Sequence, residues 1–287
     1  MATAGKTAAT SSPEEIFLNN GGTKIFARIW KPAMKPRAML VICHGVNSHS
    51  GQYFWAAEQF AAAGFAVYAL DLRGRGKSSG KRYYVDDIAE YVSDLSTLIK
   101  EAKARECSLP IYLLGHSAGG VVSCTYTLDN QKELAGLICE SFAFKVPAPD
   151  FVLAIIKGLS RIAPGLPVLK LKNKDFTRDP ECLKALESDP LTLGEVQPAA
   201  TVAALVRADE RLKREFPKIT LPVFILHGTS DKATVPEGSK FFHETAGSKD
   251  KTLKLYEGHF HDLLNDTGKE QVLADILSWI DARLAKA

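Results

Sequence analysis

The chain has 287 residues, 46% hydrophobic and 24% charged, a balance that suits one globular unit able to bury a full core and excludes low-complexity and collagen-like classes. Lys and Arg number 36 against 33 Asp and Glu, and the net charge of +3 is interleaved along the chain, so no nucleic-acid footprint follows. No apolar run approaches the roughly 18 residues that span a bilayer.

Residues 1–14 read as a disordered tail, with one lysine and no apolar stretch of the kind a secretory leader carries. Cys43, Cys107, Cys124, Cys139 and Cys182 are odd in number, widely spaced and without a C-x-x-C pair. They are expected to be buried thiols in a reducing compartment, which makes the cytoplasm the expected location. "TKIFARIW" (23–30) alternates as a half-buried strand does, whereas "AMLVIC" (38–43) and "FAVYAL" (65–70) are unbroken apolar runs suited to strands covered on both faces. Between them "FWAAEQFAAAG" is helical and closes on Gly64. From Val85 onward Ile88, Val92, Leu95, Leu98, Ile99 and Ala102 draw one stripe on a helix, and Pro110 resets the chain.

"IYLLG" (111–115) predicts a strand, the run from Val121 a helix, and "LAGLICE" (134–140), "PVFILHG" (222–228) and "KTLKLY" (251–256) three more strands. A last helix carries Val272, Ile276, Trp279 and Ile280. Strands alternating with helices in this order predict an α/β fold with a doubly wound, mostly parallel sheet. Residues 15–140 and 221–287 would form this core. The proline-divided stretch 141–220 reads as an inserted helical cap, because a structureless loop of that length is hard to fit in a compact domain. Its densest basic spot, Lys170 to Lys174, is expected to be a solvated face.

"LLGHSAGG" (113–120) sets Ser117 among Gly115, Ala118, Gly119 and Gly120. A serine on a sharp strand-to-helix turn needs such small neighbours, although the same letters also suit a plain bend. A nucleophilic serine needs a carboxylate and then a histidine, each beyond a later strand end. Asp231 follows "PVFILHG"; His259 and His261 follow "KTLKLY". Asp231 could also be a turn-forming residue, Asp262 and Asp266 are weaker candidates for the acid, and the two histidines could form a metal pair, though no further ligands cluster beside them.

"HGVNSHSGQY" (44–53), "LDLRGRGKSSG" (70–80), "LLGHSAGG", "HGTSDKATVP" (227–236) and "KLYEGHFHDLLND" (254–266) together resemble the monoglyceride lipase and lysophospholipase branch of the α/β-hydrolases. The resemblance implies an α/β-hydrolase fold and a serine ester hydrolase that needs no metal or organic cofactor. It also implies Ser117 as nucleophile, His261, the third residue after Gly258, as base, Asp231 as its orienting acid, and the backbone N–H groups of Val46 and Ala118 as the oxyanion hole. His116 falls on a variable motif position and is assigned no chemistry. Asp71 and Arg73 fall in a structural loop.

The implied substrate is a lipid-like monoester, foremost a monoacylglycerol, with lysophospholipids and simple carboxylic esters as alternatives. A different class, a hydrolase-fold receptor with little turnover, would keep the same residues. Where that branch carries a glutamate and an arginine near the leaving alcohol, this chain has Ser48 and Gln52, which weakens the inference to glycerol but not to ester cleavage. Phe142, Phe144, Phe151 and Ile155 could line an acyl channel, Ser48 and Gln52 would border the leaving alcohol, and an exposed apolar cap edge could rest weakly on a membrane.

Overall fold

The computed structural model describes residues 12–285. Ten strands, β1 (Glu14–Asn20), β2 (Thr23–Trp30), β3 (Ala38–Cys43), β4 (Phe65–Leu70), β5 (Ile111–His116), β6 (Gly136–Glu140), β7 (Pro167–Leu169), β8 (Gln197–Pro198), β9 (Val223–Gly228) and β10 (Lys251–Tyr256), are joined by eight α-helices. The helices are α1 (Phe54–Ala62), α2 (Ile88–Arg105), α3 (Ala118–Asn130), α4 (Asp150–Leu159), α5 (Pro180–Ser188), α6 (Ala199–Glu215), α7 (Pro236–Thr245) and α8 (Lys269–Leu284).

Eight strands form one sheet in the order β1-β2-β4-β3-β5-β6-β9-β10, parallel from β4 to β10 and antiparallel where β2 meets β1 and β4. The unbroken apolar runs of β3, β4 and β5 are buried throughout because each lies between neighbours with helices on both faces. One face packs the α2 stripe of Ile88, Tyr91, Leu95, Leu98, Ile99 and Ala102, started by the Asp87 carboxylate capping the Ala89 N–H at 2.9 Å. The other face packs α1 and α8 through Phe60, Val272, Ile276, Trp279 and Ile280.

The fold is the expected α/β one, with differences in detail. Residues 1–11 of the expected tail lie outside the described residues, and Glu14 already opens β1, an edge strand whose period is masked by its polar outer face. Of the five cysteines, Cys43, Cys124 and Cys139 are buried, but Cys107 is exposed because it follows the end of α2 on the surface. Between β6 and β9 the chain forms α4, α5 and the short β7–β8 pair, while the long α6 reaches back so that Ala204, Ala208 and Leu212 join the main core.

Candidate active site

The site forms where five loops leave the carboxyl ends of parallel strands, the usual position for chemistry in such sheets. Ser117 stands between β5 and α3 with φ 54° and ψ −123°, a conformation that a non-glycine residue holds only when its surroundings force it. The sequence supplies that force through glycines. A Cβ on Gly115 would meet Ser123 Oγ at 2.5 Å, one on Gly120 would meet Phe142 at 2.9 Å, and one on Gly119 would run into the carbonyl oxygens of Cys43 and His44. A Cβ on Gly45 would sit 2.7 Å from Ser117 Cβ. Only glycine there lets the loop after β3 close over the serine.

Asp231 and His261, read from two separate loops, are brought together: His261 Nδ1 lies 2.8 Å from Asp231 Oδ2. The Asp231 carboxylate is also held by the N–H groups of Ala233 (2.8 Å) and Thr234 (2.9 Å) and by the Thr234 hydroxyl (2.7 Å). His227 Nε2 lies 3.1 Å away from it. Burial alone would raise this carboxyl, but the His261 and His227 rings bonded to it outweigh burial and hold it far below the usual carboxylate range. With Nδ1 committed to the anion, the Nε2 of His261 is the free nitrogen, buried and without a hydrogen-bond partner, on a side chain 1% exposed. Ser117 is itself only 3% exposed.

His259, by contrast, packs on Tyr256 with Nδ1 3.9 Å from Asp266. Asp266 is spent on tying the chain between β7 and α5 to the last loop, accepting from the backbone N–H (2.6 Å) and Nε (2.8 Å) of Arg178. Asp262 faces His116, with Nε2 to Oδ1 at 3.0 Å.

One cluster among the described residues has metal-ligand character: His116, His261 and Asp262, with ligand atoms within 4.8 Å of one another. Its charges are already balanced without an ion. Burial alone would push the His116 imidazole down, but Asp262, with Glu140 behind it, outweighs burial and holds His116 up at about 9. A histidine that keeps its proton at neutral pH is a poor metal ligand.

Of the oxyanion candidates, Ala118 follows the serine and Val46 follows Gly45, whose backbone closes on Ser117. Val46 and Ala118 are both buried. His44 Nε2 accepts the Leu72 N–H at 3.0 Å, so its Nδ1 carries the proton and donates to the Gly45 carbonyl at 2.6 Å. In a trans peptide the C=O and N–H point opposite ways, so this bond turns the Val46 N–H away from His44. Asn47, at φ 54°, gives its N–H to Glu195 Oε1 at 2.8 Å. Asp71 behaves as a structural residue, accepting from Ser50 N and Lys77 N at 2.7 Å each, and Arg73 forks onto Asp94.

The substrate-lining candidates divide. Gln52 Nε2 faces Asp189 Oδ2 at 3.4 Å, beside a 2.7 Å His49–Asp189 contact, and Ser48 is buried in the same loop. Phe142 is fully buried in an aromatic cluster with Phe144, Phe216 and Phe242. Phe144 and Phe241 stack at 5.5 Å on the wall of a cavity of about 740 Å³ between α4, α6 and α7. Phe151 and Ile155 stand on α4, 65% and 62% exposed. Sequence reasoning missed His227 and Thr234, which hold Asp231 from the end of β9 and from its own loop, and Glu195 and Asp189, whose partners Asn47 and His49 lie 148 and 140 residues away.

Residues 34–268 match a family model described as "Serine aminopeptidase, S33". The chain is 34% identical over 280 residues to the monoacylglycerol lipase of Mycolicibacterium smegmatis, covering 96% of this chain and 99% of that one. The chain belongs to this serine hydrolase family. Other members include the human monoglyceride lipase, 30% identical over 276 residues with 94% of this chain and 91% of that one covered. The crystal structure of the Paleococcus ferrophilus monoacylglycerol lipase superposes with a TM-score of 0.81 at 31% identity, covering 90% of this chain and 99% of that one. The protein is accordingly an α/β-hydrolase and a serine ester hydrolase, as the motifs implied. Among the described residues no helix is long and apolar enough to cross a membrane.

Proposed function

We propose that Ser117, His261 and Asp231 are the catalytic triad and that the substrate is a lipid-like monoester, foremost a monoacylglycerol. The observation that carries the triad is the 2.8 Å His261–Asp231 bond, which leaves the buried Nε2 without a partner, while Ser117 is held on a strained elbow. Ser117 Oγ attacks the ester carbonyl while His261 Nε2 takes its proton, and the buried Asp231 holds the tautomer with Nδ1–H and stabilises the imidazolium. The tetrahedral oxyanion is received by the N–H groups of Val46 and Ala118, and the proton returned by His261 releases the alcohol, leaving an acyl-serine that water cleaves by the same steps.

The monoacylglycerol assignment is supported by the names of the relatives over nearly the full chain. Residues 141–220 act as the cap, and the exposed Phe151, Ile155 and Ile162 give it an apolar edge suited to weak contact with a lipid surface. A different leaving alcohol is favoured by one observation: Gln52 and His49 converge on Asp189, so the polar group near the mouth differs from the expected glutamate and arginine. Glycerol release from a long-chain monoacylglycerol, measured beside Ser117→Ala, tests both parts. Fast release abolished by the substitution is the expected result; hydrolysis of an aryl ester without glycerol release would keep the triad and move the substrate to another ester.

A further inference from the structure

Three of the four non-glycine residues with positive φ belong to the site: Asn47 beside the oxyanion loop, Ser117 on the elbow, and Ser141 at φ 47°. The first two have roles above; the third, directly after β6, does not. Ser141 is fully buried. Its N–H continues the sheet by donating to the Leu226 carbonyl at 2.8 Å, and its hydroxyl donates to the His261 carbonyl oxygen at 2.5 Å. The neighbouring Glu140 receives the Ser117 N–H on its backbone oxygen at 2.9 Å and the Leu264 N–H on Oε1 at 3.0 Å. The Thr234 hydroxyl, which bonds Asp231, lies 3.2 Å from the Ser141 carbonyl. One strand end therefore touches the loops of all three triad residues.

We infer that Ser141 is a positioning residue for ester hydrolysis, its hydroxyl fixing the backbone of His261 so that the imidazole stays in register with Ser117; this rests on the triad proposed above. The side chain of His261 is anchored at one end only, by the Nδ1 bond to Asp231, because Nε2 must be left free for the serine. The ring, packed against His116 and Phe176 but hydrogen-bonded at one nitrogen, can still slide with its own backbone. The carbonyl of the same residue is the next point at which the loop can be pinned, and the Ser141 hydroxyl is its donor. A left-handed backbone strains a serine where a glycine would be unstrained. Glycine at 141 would remove that strain but leave the buried His261 carbonyl without this donor, so the hydroxyl and not the turn is what the position uses.

The test compares Ser141→Ala and Ser141→Gly with the unchanged protein and with Ser117→Ala on a soluble short-chain aryl ester. Misplacing a catalytic group by about an ångström costs on the order of 10²-fold. Both Ser141 variants are expected to lose about 10- to 100-fold in kcat with KM within about twofold, and to react correspondingly more slowly with a fluorophosphonate. The low-field proton resonance of the His261–Asp231 bond should shift or broaden in both, while the melting temperature of the glycine variant stays at or above that of the alanine variant. Full kcat in either variant overturns the inference. So does rescue by glycine alone, which would make the turn the sole requirement, and so does failure of both variants to fold, which would make the residue structural. Should Ser117→Ala keep its activity, the triad falls instead, whatever Ser141 does.

Discussion

The floor of the proposed site and the helix α4 are built on opposite terms. The side chains of the proposed triad are buried, and Asp231 is held by donors from Ala233, Thr234 and His261. The helix α4 has no buried residue at all, and its Phe151 and Ile155 are mostly exposed. Preorganised dipoles accelerate a reaction only where they cannot reorganise, which burial of the floor favours. An apolar substrate entering from a lipid phase needs instead a surface that is already apolar and exposed, which α4 supplies.

Between the two lies a joint. Glu195, from the segment before α6, accepts the Asn47 N–H and pairs with Arg75, both side chains 1% exposed, while Gln197 completes the cluster through Arg75 Nη2 at 2.7 Å. The proposed cap segment is therefore fastened to the loop after β3 at its base, whereas α4, with no buried residue, is tied to α6 by the Lys157–Glu210 ion pair.

The largest expected effect lies on the floor. Ser117→Ala should lower turnover by on the order of 10⁶ while leaving the melting curve intact or slightly raised, since alanine loses no bond there; activity within a thousandfold of the unchanged protein would remove Ser117 from the role of nucleophile. Asp231→Asn keeps the shape but favours the wrong tautomer of His261, and a fall in kcat of about 10⁴ is expected in steady-state assays. An effect below tenfold would show that His227 or another group orients the ring.

At the joint the effect is on stability. Glu195→Ala leaves the Arg75 guanidinium buried and uncompensated, which should cost about 3–5 kcal/mol in denaturant unfolding. A loss under about 1 kcal/mol would mean the cap base is not fastened there. Smaller still is a pH effect beneath the elbow. His116 is held at about 9, above its ordinary value near 6.5, so its contribution is complete below pH 6.5 and is lost as pH rises through 9. Melting temperature should decline over that window, and His116→Gln should flatten the decline; an unchanged slope in the variant would assign it to other groups.

The smallest stability effect belongs to α4. Phe151→Ser with Ile155→Ser should move unfolding free energy by about 0.5 kcal/mol or less and leave soluble aryl ester kinetics alone. Hydrolysis of monoacylglycerol presented in vesicles should slow in the same variant. Equal rates on both substrates would erase the contrast between floor and cap.

The strands and the elbow were legible because local chemistry dictates them. Unbroken apolar runs such as "AMLVIC" have nowhere to go but the middle of a sheet, and the glycines around Ser117 are demanded by contacts within one turn. The edge strand β1 was not legible, since a strand with one face in water shows little apolar period. The acid and the histidine could be placed by their position after strand ends, but the choice of His261 over His259 came from a family resemblance and not from the residues between them.

By itself, then, the sequence determined the α/β alternation, the elbow and the order of serine, acid and histidine, because each depends on neighbours a few residues apart. Tertiary structure alone decided what lies across the chain. His261 meets Asp231 across 30 residues, Thr234 reaches Ser141 across 93, Ser141 reaches His261 across 120, and Glu195 spans 148 to Asn47. Such partners meet only when parallel strands bring their carboxyl ends side by side, and no local periodicity records which loop ends will touch.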